Sequence, residues 1–114
     1  MRPEDRVRIL RMLDAAETIA GFVAGRGRPD LDSDRMFLFA LIRAIEIIGE
    51  AAIRLSPDLR ASAPAVPWAL MIGMRNRLIH AYFDIDADIL WRTVTEEVPG
   101  LMPALADLIA SSEP

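Results

Sequence analysis

Apolar residues recur at helical spacing along most of the chain, and strand-like alternation never lasts more than a few residues. The first stripe, Ile9, Met12, Leu13, Ala16, Ile19, Ala20 and Val23, predicts a helix from about Pro3 to Ala24. Pro3 suits its first turn, where a missing N–H has no helical partner. Gly25 and Gly27 stop the helix, and GRGRPDLDSD forms the predicted connection. A second helix is predicted from about Ser33 to Leu55, with Asp32 or Ser33 as cap. Its polar residues Arg43, Glu46, Glu50 and Arg54 fit within an arc of roughly 80°. Most other positions on it are apolar, so the helix needs cover on most of its sides.

SPDLRASAPAVP follows, where Ser56 and Pro57 can start a single helical turn and the rest reads as loop. Pro67 stands at the start of a third helix, predicted from about Trp68 to Phe83. Asp84, Asp86 and Asp88 lead into a fourth, from about Asp86 to Glu97. Pro99 and Gly100 are expected to break it, with a last segment running to about Ala110. The sum is an all-α, up-down four-helix bundle with a broken C-terminal helix, in one domain spanning residues 1–114.

Composition adds a partner to this picture. Hydrophobic residues make up 53% of the 114, more than one small core easily hides, which predicts a homodimer or higher assembly. There is no cysteine and only one histidine, so a disulfide framework, a metal cage and a resident cofactor are not expected. No long uncharged apolar run predicts a membrane span, and the charged start MRPEDRVRIL does not read as a signal peptide, so a reducing cytoplasm is expected. The net charge of −4 argues against gripping nucleic acid through bulk charge, and DNA is not an expected partner. All 13 basic residues are arginine, whose flat fork suits a local phosphate contact.

The candidate chemistry sits in residues 75–83, RNRLIHAYF, which hold the only histidine. On an ideal helix Trp68, Met71, Ile72, Leu78, Ile79, Tyr82 and Phe83 share a broad apolar face with Arg75 in its middle. A guanidinium there needs a partner or an anion. Asn76 and His80 lie side by side, four residues apart, and Arg77 points toward solvent. Arg75 and His80 are about 140° apart, so a site using both must straddle the helix edge or combine two copies. Spacing alone also admits an ordinary reading. Asn76 and His80 can form a structural hydrogen bond, Arg75 can snorkel, and Tyr82 can pack as a core residue.

The string R-N-R-L-I-H-A-Y resembles the signature of the HEPN domain: Arg, four residues, His, with Asn directly after the Arg. The tyrosine two positions after the histidine resembles the HepT-like branch, the toxin half of HEPN/minimal-nucleotidyltransferase pairs. PWALMIGMRNRLIHAYFDID and RAIEIIGEAAIRLSPDLR are similar to that family's third and second helices, so the likeness covers most of the chain. It implies a metal-independent endoribonuclease toxin of a type II/VII-like toxin–antitoxin pair, with RNA as substrate and two Arg–His motifs facing one dimer cleft. It also implies silencing by a nucleotidyltransferase antitoxin that AMPylates Tyr82. The roles then expected are phosphate binding for Arg75, acid–base work for His80, and orientation or phosphate contact for Asn76. The contrasting reading is a non-catalytic helical module that binds a nucleotidyltransferase or a nucleotide, which the acidic charge favours.

The stripe Arg43–Glu46–Glu50–Arg54 admits two readings. It is a solvated face with Glu–Arg support, or it lines the cleft, where Glu50 or Glu46 orients an arginine and Arg43 and Glu50 support the site. Asp84, Asp86 and Asp88 read as helix caps, because Ile89 and Thr95 stand where a calcium loop needs Gly and Glu. Arg26 and Arg28 on the first loop are expected to be solvated.

Overall fold

The computed structural model describes residues 1–80 and 84–112, with Ile79 and His80 described in backbone only. Helix α1, Pro3–Val23, follows the predicted stripe and buries Ile9, Met12, Ala16 and Ile19. The connection after it is not all loop, because Asp30–Ser33 forms a one-turn helix, α2. Asp34, rather than Asp32 or Ser33, caps the next helix by accepting from the Phe37 amide at 3.1 Å. That helix, α3, runs Arg35–Arg54. Ser56 caps α4, Pro57–Ser62, and the Trp68 indole donates to the Arg60 and Ala63 carbonyls at 3.1 and 3.0 Å. Trp68 thereby closes the end of α4 while opening α5, Trp68–Leu78.

Helix α5 stops five residues short of the predicted end. Ile79–His80 (β1) pairs antiparallel with Asp84–Ile85 (β2), with Ile79 opposite Ile85 and His80 opposite Asp84. The Asp86 amide donates to the Leu78 carbonyl at 2.7 Å and occupies a helix-end acceptor. Ile and His on this strand are among the weaker helix formers, and Ile favours extended backbone.

Of the three aspartates expected to cap, Asp86 caps α6, Ala87–Arg92, through the Ile89 amide at 3.0 Å, while Asp88 lies in its first turn and Asp84 on β2. The break predicted at Pro99–Gly100 is absent. A π-helical turn, Thr93–Glu97, joins α6 to α7, Val98–Ser111, with helical backbone at both junctions. In an α-helix the Pro99 ring would meet the carbonyl four residues back, and the wider turn directly ahead of it relieves that clash.

Helix α3 lies at the centre, with α1 packed on one flank and α5 on the other, and α7 packs on α1. Their shared core includes Met12, Leu41, Ile45, Ile48, Met71, Met74 and Leu105. The chain is thus helical and compact, apart from the short ladder. No helix among the described residues is long and apolar enough to cross a membrane.

Candidate active site

The helix end changes where Arg75 points. The core-facing residues of α5 are Trp68, Met71, Met74 and Leu78. Counting Ile79, Tyr82 and Phe83 as helical shifts the apparent apolar centre by roughly 35° toward Arg75. With the helix ending at Leu78, Arg75 falls at the edge of the face, and its side chain is 52% exposed. It therefore does not occupy the middle of the apolar face. The spacings that placed Asn76 beside His80, and Arg75 some 140° from it, also lapse, because His80 is on the strand.

Arg75 has a partner on α3. Its Nε donates to Glu46 Oε1 at 2.9 Å, and Glu46 Oε2 accepts from Arg43 at 3.3 Å. Arg43 also reaches Glu50 Oε1 at 3.4 Å. Glu46 is 24% exposed, whereas Arg43 and Glu50 are 59% and 58% exposed, so Glu46 is the inner member of the stripe. The Glu46–Arg75 bond is the contact the cleft reading of that stripe needs, while the exposed Arg43–Glu46 and Arg43–Glu50 pairs are the support the solvated reading expects. Only the Nε edge of Arg75 is bonded among the described residues. Its two terminal nitrogens, the pair that binds phosphate or carboxylate in parallel, remain open.

A cavity of about 430 Å³ lies at this spot, lined by Ile45, Glu46, Gly49, Glu50, Ile53, Ile72, Arg75 and Asn76. Asn76 is exposed and shares the cavity with Arg75. Gly49 sets how closely α3 and α5 approach. A Cβ there would sit 3.2 Å from the Met71 carbonyl oxygen and 3.6 Å from that of Ile72. Both oxygens belong to a helix backbone and cannot swing aside.

The far end of α5 is pinned as well. Arg77 is not directed freely into solvent. Its Nη2 and Nη1 meet the two Glu97 oxygens at 2.6 and 3.4 Å, tying α5 to the π-helical turn. His80 follows three residues later, in extended backbone opposite Asp84, and its imidazole lies outside the described residues. Tyr82 lies outside them too. The loop arginines are paired rather than simply solvated. Arg26 bonds Asp34 at 3.0 Å and stacks 4.1 Å from the Phe37 ring, and Arg28 bonds Asp88 at 2.6 Å.

An open guanidinium beside an asparagine, on a helix leading straight to a lone histidine, is the arrangement in which comparison with known proteins becomes informative. The family profile described as "Ribonuclease HepT-like" matches residues 12–108. The chain belongs to the HepT-like ribonuclease family. A protein of Thermococcus cleftensis named a probable ribonuclease HepT is 43% identical over 77% of this chain and 80% of its own length. A Methanocaldococcus jannaschii protein named as a candidate RNase is 42% identical over 77% of this chain and 81% of its own length. A candidate RNase of Caldanaerobacter subterraneus subsp. tengcongensis is 34% identical over 86% of this chain and 88% of its own. No solved structure gives a significant match. The HepT-like resemblance read from RNRLIHAY, and the ribonuclease class it implied, agree with these findings.

Sequence reasoning offered Glu46 as one of two acids that could orient an arginine, and missed Glu97 altogether. What distinguishes Glu46 from Glu50, the other acid of the stripe, is its position one turn before Gly49, the only glycine inside that apolar helix. Glu97 carried no signal, because its pairing with Arg77 depends on the uninterrupted course of the C-terminal arm.

Proposed function

We propose that this chain is a metal-independent endoribonuclease that acts as a homodimer, the toxin of a type II/VII-like toxin–antitoxin pair. The observation that carries the reading is the held guanidinium: Glu46 bonds Arg75 through Nε, and Arg75 lines a cavity that Asn76 also lines. Such a fork binds a phosphodiester in two parallel bonds and offsets the charge that builds on it during cleavage. His80 is the acid–base group, because imidazole titrates near neutral pH. It takes the proton from the RNA 2′-hydroxyl. The 2′-oxygen then bonds to phosphorus, the bond to the 5′-oxygen breaks, and that oxygen leaves with a proton taken from water, to which His80 returns its own. Asn76 orients His80 or donates to a phosphate oxygen.

The dimer reading rests on the outer face of α3. Met36, Phe39 and Ile53 are 84%, 53% and 58% exposed there, and Ile53 also lines the cavity. A second copy over this face would bring two Arg75 sites toward one cleft and cover apolar surface that a lone chain leaves wet. Tyr82, two residues beyond His80, is the position for AMP transfer by a nucleotidyltransferase antitoxin. The added phosphate would occupy the anion site of Arg75 and repel RNA.

The test is RNA cleavage in EDTA. Wild type cuts, His80→Ala loses about 10²- to 10⁴-fold, and Arg75→Ala loses a similar amount with the fold intact. Equal cutting by His80→Ala removes the catalytic assignment and leaves a helical binding module. Mass spectrometry after co-production with a nucleotidyltransferase tests Tyr82, since an unmodified tyrosine in a silenced complex removes that role.

A further inference from the structure

On the other flank of α3 from Arg75, a second groove of about 480 Å³ runs between α1 and α3. Its lining carries Arg8, Arg11, Arg43 and Arg54 against two carboxylates, Asp14 and Glu50. This local excess of positive charge stands out on a chain whose net charge is −4. Most arginines of the molecule are spent on internal partners, as Arg26, Arg28, Arg75 and Arg77 are. Arg11 and Arg54 are exposed, and neither side chain has a hydrogen-bonded or ionic partner among the described residues. Arg8 is anchored differently, with Nη1 donating to the Arg54 carbonyl at 2.8 Å, which holds its guanidinium in the groove.

The groove joins the candidate active site. Glu50 lines both cavities, and Arg43 in the groove bonds Glu46, which holds Arg75. From Arg43 to Arg54 the α3 wall is about 16 Å long, enough for a short run of phosphates. We infer that this groove binds the backbone of single-stranded RNA flanking the scissile phosphate, with Arg11 and Arg54 contacting successive phosphates and Arg8 between the helices supporting them. The inference rests on the ribonuclease reading for its ligand. An acidic protein segment would also meet arginines, but continuity with an anion-ready guanidinium at the groove's edge favours a polymer of phosphates.

The experiment measures binding apart from cleavage. A labelled 2′-O-methyl oligoribonucleotide, which no 2′-hydroxyl attack can cut, is titrated by fluorescence anisotropy at several salt concentrations. The double variant Arg11→Gln/Arg54→Gln is expected to bind about tenfold or more weakly in 0.1 M salt. The slope of log affinity against log salt should fall by about 1.4 for two lost single-strand phosphate contacts. Arg28→Gln, on the α1–α3 connection, keeps wild-type affinity. Both groove side chains are exposed and unpaired, so their loss leaves the core untouched, and Arg11→Lys/Arg54→Lys retains the slope. Unchanged affinity and slope in the glutamine variant overturns the inference, as does an equal loss in Arg28→Gln or tighter binding of a poly-glutamate peptide. If wild type cuts no RNA while the glutamine variant still releases the oligonucleotide, the groove stands and the catalytic reading falls. If wild type cuts RNA while the glutamine variant binds undiminished, the groove falls and the catalytic reading stands.

Discussion

A guanidinium on the outer edge of a helix normally samples many rotamers, and Glu46 removes most of that freedom from Arg75. The contact at 2.9 Å holds the fork through Nε and leaves its two terminal nitrogens without a bond among the described residues. Glu46→Gln weakens this hold without emptying the space. Cleavage efficiency is expected to fall about ten- to hundred-fold, with the thermal melt near wild type. A melt lowered as much as the activity would make Glu46 structural instead. A second carboxylate, Asp5, works at the C-terminal end of α3. It is buried, and accepts from the Ser56 amide at 2.9 Å and the Ser56 hydroxyl at 2.6 Å. Burial pushes its carboxyl up, but the two Ser56 bonds, with Arg2 and Arg8 nearby, outweigh this and leave it below the ordinary value. The charged form is thus favoured by folding. The stability it adds is complete above about pH 4 and is lost as the pH falls through the lowered value. Urea melts should show Asp5→Asn destabilised at pH 7, with the gap to wild type closing as the pH falls below the ordinary carboxylate range. A gap independent of pH would show that packing, not charge, is at work.

At the scale of elements, the site depends on how closely α5 lies on α3. Gly49→Ala places a methyl 3.2 Å from the Met71 carbonyl oxygen and must push the helices apart. We expect a loss of about 1–3 kcal/mol in denaturant unfolding and a further loss of RNA cleavage, because Arg75 moves away from Glu46. An unchanged midpoint would mean that α5 shifts freely and is not the rigid support described. The long helices were legible because their stripes are long: α1 and α3 fall within a residue or two of the predicted bounds. The end of α5 was not, because Ile79, Tyr82 and Phe83 continue the apolar pattern past Leu78. A helical continuation and an extended one look alike over so short a run. That one misreading carried Arg75 into the apolar face. The pairing of the motif was legible only as residue types, since Glu46 and Glu97 reach it from 29 and 20 residues away. Pro99 was read as a stop, but a π-helical turn lets the arm pass it.

The whole molecule is longer than its chain length requires. Its radius of gyration is 14.4 Å, against roughly 13 Å for a compact domain of this size, and its extents are 47 × 30 × 20 Å. Helix α3 is covered on two flanks and bare on its outer face, which carries Met36, Phe39 and Ile53 around the charged stripe. Sedimentation should give twice the 12.7 kDa of one chain for wild type and a single chain for Met36→Glu/Phe39→Glu. Monomeric wild type at micromolar concentration would leave that face without its proposed cover. The proposed RNA groove and the dimer surface meet along the charged stripe of α3, so sedimentation of Arg11→Gln/Arg54→Gln accompanies its binding measurement. The most direct test of the catalytic account looks at the RNA ends. In EDTA, wild-type protein should leave a 2′,3′-cyclic phosphate, and a single 2′-deoxy sugar at the cut position should abolish that cut. Cleavage at the deoxy position, or products ending in a 3′-hydroxyl, would contradict attack by the 2′-oxygen on a phosphate held by Arg75.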